Sequence, residues 1–133
     1  MNSYIEAEEL FPVIKTCRYL IALDELRAKY SNAPEFQRNQ DTRRTQYLEE
    51  LDTEITRGVM AIYYLGEGRN RSYPLCLKAT YTVKEDDLVS AFDGFGDLAK
   101  HLQLGLECMR EDIKSMACYE GEIDWFFDED DSA

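Results

Sequence analysis

Apolar residues in the first thirty positions recur at spacings of three and four, which is typical of one face of an amphipathic helix. Ser3 and Glu6 have the spacing of a capping box, in which each side chain bonds the backbone N–H of the other residue. We therefore predict a long helix from about residue 4 to 30, with Pro12 as a kink or a later start. Its apolar stripe comprises Leu10, Val13, Ile14, Cys17, Leu20 and Ile21, followed by Leu26 and Tyr30.

Two shorter helices are predicted in the next part of the chain. The polar stretch SNAPEFQRNQ, residues 31–40, predicts a loop, and Asp41 is the expected N-cap of a helix through about 51. Asp52 or Thr53 would cap the next helix, and Gly66 would end it at the C′ position that glycine favours. The inward residues of the two helices would be Tyr47, Leu48, Leu51, Ile55, Val59, Ile62 and Tyr63.

Residues 75–83, LCLKATYTV, alternate between apolar and polar positions, which is typical of a strand. The sequence contains no second convincing strand, and an unpaired strand would leave its backbone groups without partners. Three interpretations stay open: an extended segment, an edge strand that recruits a partner chain, or a helix whose pattern imitates a strand.

Helical patterns return after residue 81. Thr82 and Glu85 form a second capping box before a helix that Gly94 and Gly96 would break. Asp97 is the expected cap of a final helix to about 119. The apolar residues of these helices are Leu88, Val89 and Phe92, then Leu98, Leu102, Leu106, Met109, Ile113 and Met116.

The predicted fold class is therefore mostly α: a single-domain bundle of about five helices in residues 1–119, with one short strand near 75–83 as the open alternative. Two stretches, LEELDTEITRGVMAIYYLGEG and GDLAKHLQLGLECM, resemble an uncharacterised bacterial helical family of unknown function. The resemblance implies a helical fold. Its motifs are packing motifs and imply no catalytic residue.

The net charge of the chain indicates which kind of partner it can bind. The 133 residues carry 27 acids and 15 bases, a net charge of −12. Direct binding to nucleic acid is not expected, because it needs clustered Lys and Arg; a basic protein surface is the natural partner. No run of about 18 apolar residues predicts a membrane span, and the N-terminus lacks a basic signal region. We expect a cytoplasmic protein whose four cysteines (Cys17, Cys76, Cys108 and Cys118) are buried thiols.

The candidate chemistry is sparse. His101 is the only histidine, and it lies two helical turns, about 10 Å along the axis, from Cys108 on a predicted helix. A base must lie within about 3 Å of its nucleophile, so the pair does not predict an enzyme. No set of residues has zinc spacing, and the acidic clusters 85–87 and 128–131 lack the calcium-loop pattern. The glycine pairs at 66–68 and 94–96 lack the further residues of a phosphate loop. We expect no enzymatic activity, metal or cofactor.

Six arginines are concentrated in the middle of the chain, and two roles stay open for them. One is surface pairing with Glu49, Glu50, Asp52 and Glu54. The other is a basic face that receives the acidic C-terminal segment or contacts nucleic acid. The six are Arg38, Arg43, Arg44, Arg57, Arg69 and Arg71.

The C-terminal segment 120–133, EGEIDWFFDEDDSA, combines acids with aromatic residues. Because a buried large apolar side chain contributes about 1.5–3 kcal/mol, we expect Ile123–Phe127 to pack, with the chain mobile beyond. Packing could be on this domain, which would fix the following acids at its surface. The alternative is that these aromatic residues anchor a partner.

These features predict a small acidic non-enzymatic binding protein, an inhibitor that occupies a basic, nucleic-acid-handling surface of another protein. The profile is similar to phage and plasmid counter-defence proteins, including anti-CRISPR and anti-restriction inhibitors, and to toxin-immunity proteins. The alternatives are a structural or adaptor module, with a homodimer formed by strand addition, and an enzyme with an unrecognised carboxylate site. The candidate partner-binding residues are Trp125, Phe126, Phe127, Asp128, Glu129, Asp130, Asp131, Glu85, Asp86 and Asp87.

Overall fold

A computed structural model describes the backbone of residues 7–110 and the side chains from residue 10 onward. These residues form six α-helices and no strand, which confirms the predicted helical bundle. The helices are α1 (Ala7–Lys29), α2 (Pro34–Glu49), α3 (Thr53–Glu67), α4 (Tyr73–Thr80), α5 (Leu88–Ala91) and α6 (Leu98–Cys108). Single 3₁₀ turns, Glu85–Asp87 and Phe92–Gly94, flank α5.

The central helix is α3, which packs against α1, α4 and α6. Every residue from Thr56 to Leu65 is buried, so α3 is enclosed on all sides rather than along one stripe. The predicted inward residues Val59, Ile62 and Tyr63 belong to this buried run, and Ile55 is half-buried.

Two glycines let the backbones of α3 and α6 approach closely. A Cβ at Gly66 would overlap the backbone of His101, and a Cβ at Gly105 would overlap the backbone of Ile62. Gly66 therefore lies inside α3 and does not end it, which corrects the prediction. The C-cap is Gly68, whose left-handed φ of 81° suits glycine.

The predicted stripe of α1 is confirmed from Leu10 to Ile21, where all six apolar positions are buried. Leu26 and Tyr30 are instead 37% and 46% exposed. The helix runs through Pro12, whose carbonyl accepts a hydrogen bond from the Thr16 hydroxyl at 2.8 Å. The predicted start near residue 4 lies outside the described residues.

The predicted loop at 31–40 is wrong, because α2 begins at Pro34. Proline favours the first helical turn, where its missing N–H and fixed φ cost nothing. Asp41 consequently lies inside α2 and caps nothing. Its carboxylate binds the guanidinium of Arg27 on α1, with Nε and Oδ1 2.8 Å apart.

The strand-like alternation at 75–83 is misleading, since residues 73–80 form α4 and the helical interpretation is the observed one. The Ser72 hydroxyl accepts a hydrogen bond from the Leu75 N–H at 3.4 Å, so Ser72 is the N-cap. The buried residues of α4 are Tyr73, Cys76 and Thr80, at helical spacing. Ser72-Tyr73-Pro74, a cap followed by a proline in the first turn, was the sequence signal for this helix.

The predicted capping box of Thr82 and Glu85 does not form. The Thr82 hydroxyl donates to the Ala79 carbonyl at 2.8 Å, and residues 85–87 make a 3₁₀ turn instead of a helical first turn. The turn after α5 ends at Gly94, where a break was predicted.

Asp97 occupies the N-cap position of α6 as predicted, but its side chain makes no capping bond and its φ is 48°. The cap comes from α1 instead, because Asp24 accepts a hydrogen bond from the Ala99 N–H at 3.2 Å. A carboxylate at a helix N-terminus also interacts favourably with the helix dipole. The predicted continuation of α6 to 119 lies beyond residue 110 and outside the described residues.

Two of the cysteines, Cys17 and Cys76, are buried as expected, and burial raises the pKa of both thiols. Cys108 is exposed, which corrects the expectation for that residue. Cys118 lies outside the described residues. Within the described part of the chain no helix has the length and apolarity needed to cross a membrane.

The close contact of α3 and α6 predicts the effect of Gly105→Ala. The added methyl meets backbone, so we expect the free energy of unfolding to fall by about 1–3 kcal/mol, although alanine is the better helix former. Urea denaturation followed by circular dichroism measures this loss. Gly94→Ala is the control, because nothing lies within 4 Å of its Cβ, and its effect should stay within about 0.5 kcal/mol. Equal stability of the two variants would contradict the close contact.

The capping of α6 by Asp24 predicts that Asp24→Ala lowers the free energy of unfolding by about 1 kcal/mol. Asp97→Gly should leave stability unchanged or raise it, because glycine adopts a left-handed φ without steric cost. Thermal denaturation of the two variants provides the comparison. The opposite order of stability would show that Asp97 is the cap.

Candidate functional site

The predicted acidic cluster Glu85, Asp86 and Asp87 forms the exposed 3₁₀ turn before α5. Glu85 is held in place because its Oε2 accepts a hydrogen bond from the Thr53 hydroxyl at 3.1 Å. Since Thr53 is the first residue of α3, this bond places the turn beside the N-terminus of the central helix.

A second hydrogen bond joins the same two parts of the chain. The Tyr81 hydroxyl donates to Oε1 of Glu54 at 2.7 Å, directly after Thr53 along α3. The fold thereby assembles one surface from two segments, which we call the acidic surface. Its members are Asp52, Glu54, Tyr81, Glu85, Asp86 and Asp87.

The carboxylates of the acidic surface are not neutralised within the described residues. None of the five forms an ion pair there, although Lys84 lies next to the turn in sequence. All five acidic residues are exposed. The acidic surface therefore presents negative charge to solvent and to any basic partner.

Tyr81 is the aromatic part of the acidic surface and is 53% exposed. Its hydrogen bond to Glu54, together with burial, raises the pKa of the phenol above its ordinary value. The phenol therefore stays neutral and continues to donate to Glu54 at physiological pH. The guanidinium of Arg57 packs against the face of the ring, 4.4 Å from its centroid, which is a cation–π arrangement.

Arg57 is buried beneath this tyrosine, with 6% of its surface exposed. Its Nη1 donates to the carbonyl of Thr80 and, at 3.1 Å, to that of Val83. Thr80 ends α4, and a helix C-terminus carries the negative end of the helix dipole, so its carbonyl suits a cation. Arg57 thus fixes the end of α4 and the start of the acidic segment on α3. The sign of this role in the sequence is that Arg57 is a single charged residue just before the apolar run Val59–Leu65.

The other five arginines do not make the predicted pairs with Glu49, Glu50, Asp52 and Glu54. Arg44 binds Asp93, with Nη2 and Oδ1 3.1 Å apart. Arg69 binds Glu67 at 2.7 Å, and its guanidinium lies 4.1 Å from the centroid of the Tyr64 ring. The exposed arginines that form no ion pair within the described residues are Arg38, Arg43 and Arg71.

His101 belongs to an aromatic cluster at the start of α6. The Tyr63 ring stacks on Phe95 at 4.0 Å and meets the imidazole edge at 5.2 Å. The Tyr63 hydroxyl and His101 Nδ1 both bind the Gly96 carbonyl, at 3.1 and 3.0 Å. A carbonyl only accepts, so the imidazole proton lies on Nδ1. These contacts hold the turn between α5 and α6.

The described residues contain no group of three or more His, Cys, Asp or Glu side chains arranged to hold a metal ion. The remaining predicted site residues, Trp125, Phe126, Phe127, Asp128, Glu129, Asp130 and Asp131, lie outside the described part of the chain.

Comparison with protein-family models, curated proteins and solved structures gives no match. The resemblance to an uncharacterised helical family therefore stays a prediction. The acidic surface is the feature from which a function can be argued.

The position of Arg57 predicts that Arg57→Met lowers the free energy of unfolding by about 1.5–3 kcal/mol, because two carbonyls lose a charged donor. Arg38→Met is the matched control at an exposed arginine, and it should change stability by less than about 0.5 kcal/mol. Chemical denaturation of both variants measures the difference. A loss at Arg57 no larger than that of the control would contradict the anchoring role.

Proposed function

We propose that this chain is a small, acidic, non-enzymatic binding protein that occupies a basic, nucleic-acid-handling surface of a partner protein. The observation that carries the proposal is the acidic surface, which combines an anchored tyrosine with five exposed carboxylates that form no ion pair among the described residues. Carboxylates on a rigid scaffold can take the place of phosphates on Lys and Arg side chains.

Three features of the acidic surface support this role. Two hydrogen bonds and Arg57 hold the Glu85–Asp87 turn and Tyr81 in place, so little conformational entropy is lost on binding. Tyr81 offers a half-exposed ring, and tyrosine is among the residues that contribute most to binding energy at interfaces. The net charge of −12 favours encounter with a basic partner and disfavours direct contact with nucleic acid.

Within this class we propose a cytoplasmic inhibitor of the counter-defence kind, such as an anti-CRISPR or anti-restriction protein, or a toxin-immunity protein. These share a need to block a surface that holds nucleic acid or a catalytic site, and none needs chemistry of its own. The acids at 128–131 would extend the same negative charge.

A second candidate is a structural or adaptor module that self-associates. Strand addition gives it no support, because residues 73–80 are helical. A different observation favours it: Tyr19 and Leu26 of α1 and Tyr30 just after it lie at helical spacing and are 37–46% exposed, although the Tyr19 and Tyr30 rings also contact Tyr47 and Phe36 of α2. Such a face could pair with a second copy of the chain.

The test compares three full-length proteins in affinity capture from a host lysate. One is the wild type, and one has all three acids of the 85–87 turn changed to their amides. The third is a control with the same change in net charge at Glu25→Gln, Glu35→Gln and Glu107→Gln. We expect the wild type and the control to capture a basic nucleic-acid-binding protein, and the turn variant to bind it about tenfold more weakly.

The second readout is the sensitivity of this capture to salt and to competing nucleic acid. Capture should weaken near 0.5 M salt, where the screening length is only about 3–5 Å, and the partner's own nucleic acid should compete. Equal capture by the turn variant and the control, or binding that is indifferent to salt, would reject the proposal. A dimer in sedimentation velocity that depends on concentration and persists in the turn variant would favour the adaptor module.

A further inference from the structure

Tyr81 is an exposed aromatic residue whose ring the fold holds in one orientation. Its hydroxyl donates to Oε1 of Glu54 at 2.7 Å, and the guanidinium of Arg57 packs against one face of the ring, 4.4 Å from the centroid. Arg57 is itself fixed, because its Nη1 donates to the carbonyls of Thr80 and Val83. The ring is therefore in place before any partner arrives, and binding to it costs little side-chain entropy.

The second face of this ring is open to a partner. Although Arg57 covers the first face, 53% of Tyr81 is exposed to solvent. None of the aromatic side chains in the described part of the chain stacks on it. Tyrosine is enriched among the residues that dominate binding energy at interfaces, so the open face is suited to anchor a partner side chain.

A carboxylate with free acceptor positions lies at the hydroxyl edge of the same ring. Glu54 is exposed and forms no ion pair among the described residues, where its one hydrogen-bond partner is the Tyr81 hydroxyl. A carboxylate has about four lone-pair positions, so Glu54 can accept two more N–H bonds while it keeps its bond to the tyrosine. The ring and the carboxylate together offer a flat surface and an acceptor at its edge.

We infer that the open face of Tyr81 and the carboxylate of Glu54 bind an arginine side chain of the partner. The inference rests on the proposed function and deepens it, because it names arginine rather than lysine as the basic group recognised at this point. A guanidinium is planar and weakly hydrated, and its N–H donors match a carboxylate in pairs. It can therefore lie flat on the ring and bind Glu54 at the same time.

The charge of Arg57 on the covered face favours arginine over lysine in this position. A cation already beside the ring opposes the attraction of the π-system for a second point charge. A lysine ammonium depends on that attraction, and it must also give up a strong hydration shell. A guanidinium spreads its charge and gains from flat contact with the ring, so it loses less. Since Glu54 attracts both kinds of cation, the ring decides between them.

The test compares the binding of two peptides of equal charge, acetyl-Arg-Gly-Arg-amide and acetyl-Lys-Gly-Lys-amide, to the full-length chain labelled with nitrogen-15. Shifts of the backbone amides of Thr53 and Glu54 in NMR titrations report binding at the acidic surface separately from binding elsewhere on the chain. We expect the arginine peptide to bind about threefold more tightly than the lysine peptide. Tyr81→Leu should abolish this preference, whereas Tyr81→Phe, which keeps the ring, should retain it.

Two further proteins separate this inference from the proposed function. Tyr30→Leu, at a tyrosine that is 46% exposed just after α1, is the control and should keep the preference. The amide variant of the 85–87 turn should weaken both peptides equally, because it removes charge but no ring.

Equal affinity of the wild type for the two peptides, or an unchanged preference in Tyr81→Leu, would overturn the inference. If the turn variant still weakened both peptides in that case, the acidic surface would stand as the site for a basic partner without a choice of arginine. If neither peptide shifted the Thr53 and Glu54 amides, both the inference and the proposed function would be rejected.

Discussion

The close approach of the α3 and α6 backbones is the constraint on which the other contacts depend. It requires the absence of a side chain at Gly66, against the backbone of His101, and at Gly105, against the backbone of Ile62. Once these helices are in contact, the middle of α3 is enclosed by α1, α4 and α6, and both of its ends reach solvent. The acidic surface is built at the N-terminal end of α3, where Thr53 and Glu54 hold the Glu85–Asp87 turn and Tyr81.

Polar side chains then attach the outer elements to this core. Arg57 binds the carbonyls at the end of α4, Asp24 caps α6 from α1, and Arg27 pairs with Asp41 of α2. In each case a charged group meets backbone or side-chain atoms of a different element. This use of charge also explains the acidic surface. Arg57 is turned inward to carbonyls and forms no ion pair with Glu54 or the Glu85–Asp87 turn.

Sequence reasoning succeeded where a helix is long and buried on a regular face, as in α1 and in α3 from Val59 to Tyr63. It failed at short elements and at helix ends. Polar residues 31–40 look like a loop, yet α2 begins at Pro34. It is held by the Arg27–Asp41 pair and by ring contacts of Tyr47 with Tyr19 and of Phe36 with Tyr30. The alternation at 75–83 arises because α4 is only eight residues long, too short to display a helical period clearly.

For the same reason, the sequence predicted the acidic turn of the candidate site but not the residues that it packs against. The turn at 85–87 is acidic in any fold, and it was identified from composition alone. Its assembly with Glu54 and Tyr81 was not, because Thr53 and Glu85 are 32 positions apart and meet only through tertiary contacts. By itself the sequence determined the helical class, the buried faces of the long helices and the negative charge, since these follow from local spacing and composition. Only the tertiary structure decided that Arg57 is buried, that Gly66 serves packing, and that Asp24 rather than Asp97 caps α6, because each depends on a partner distant in the chain.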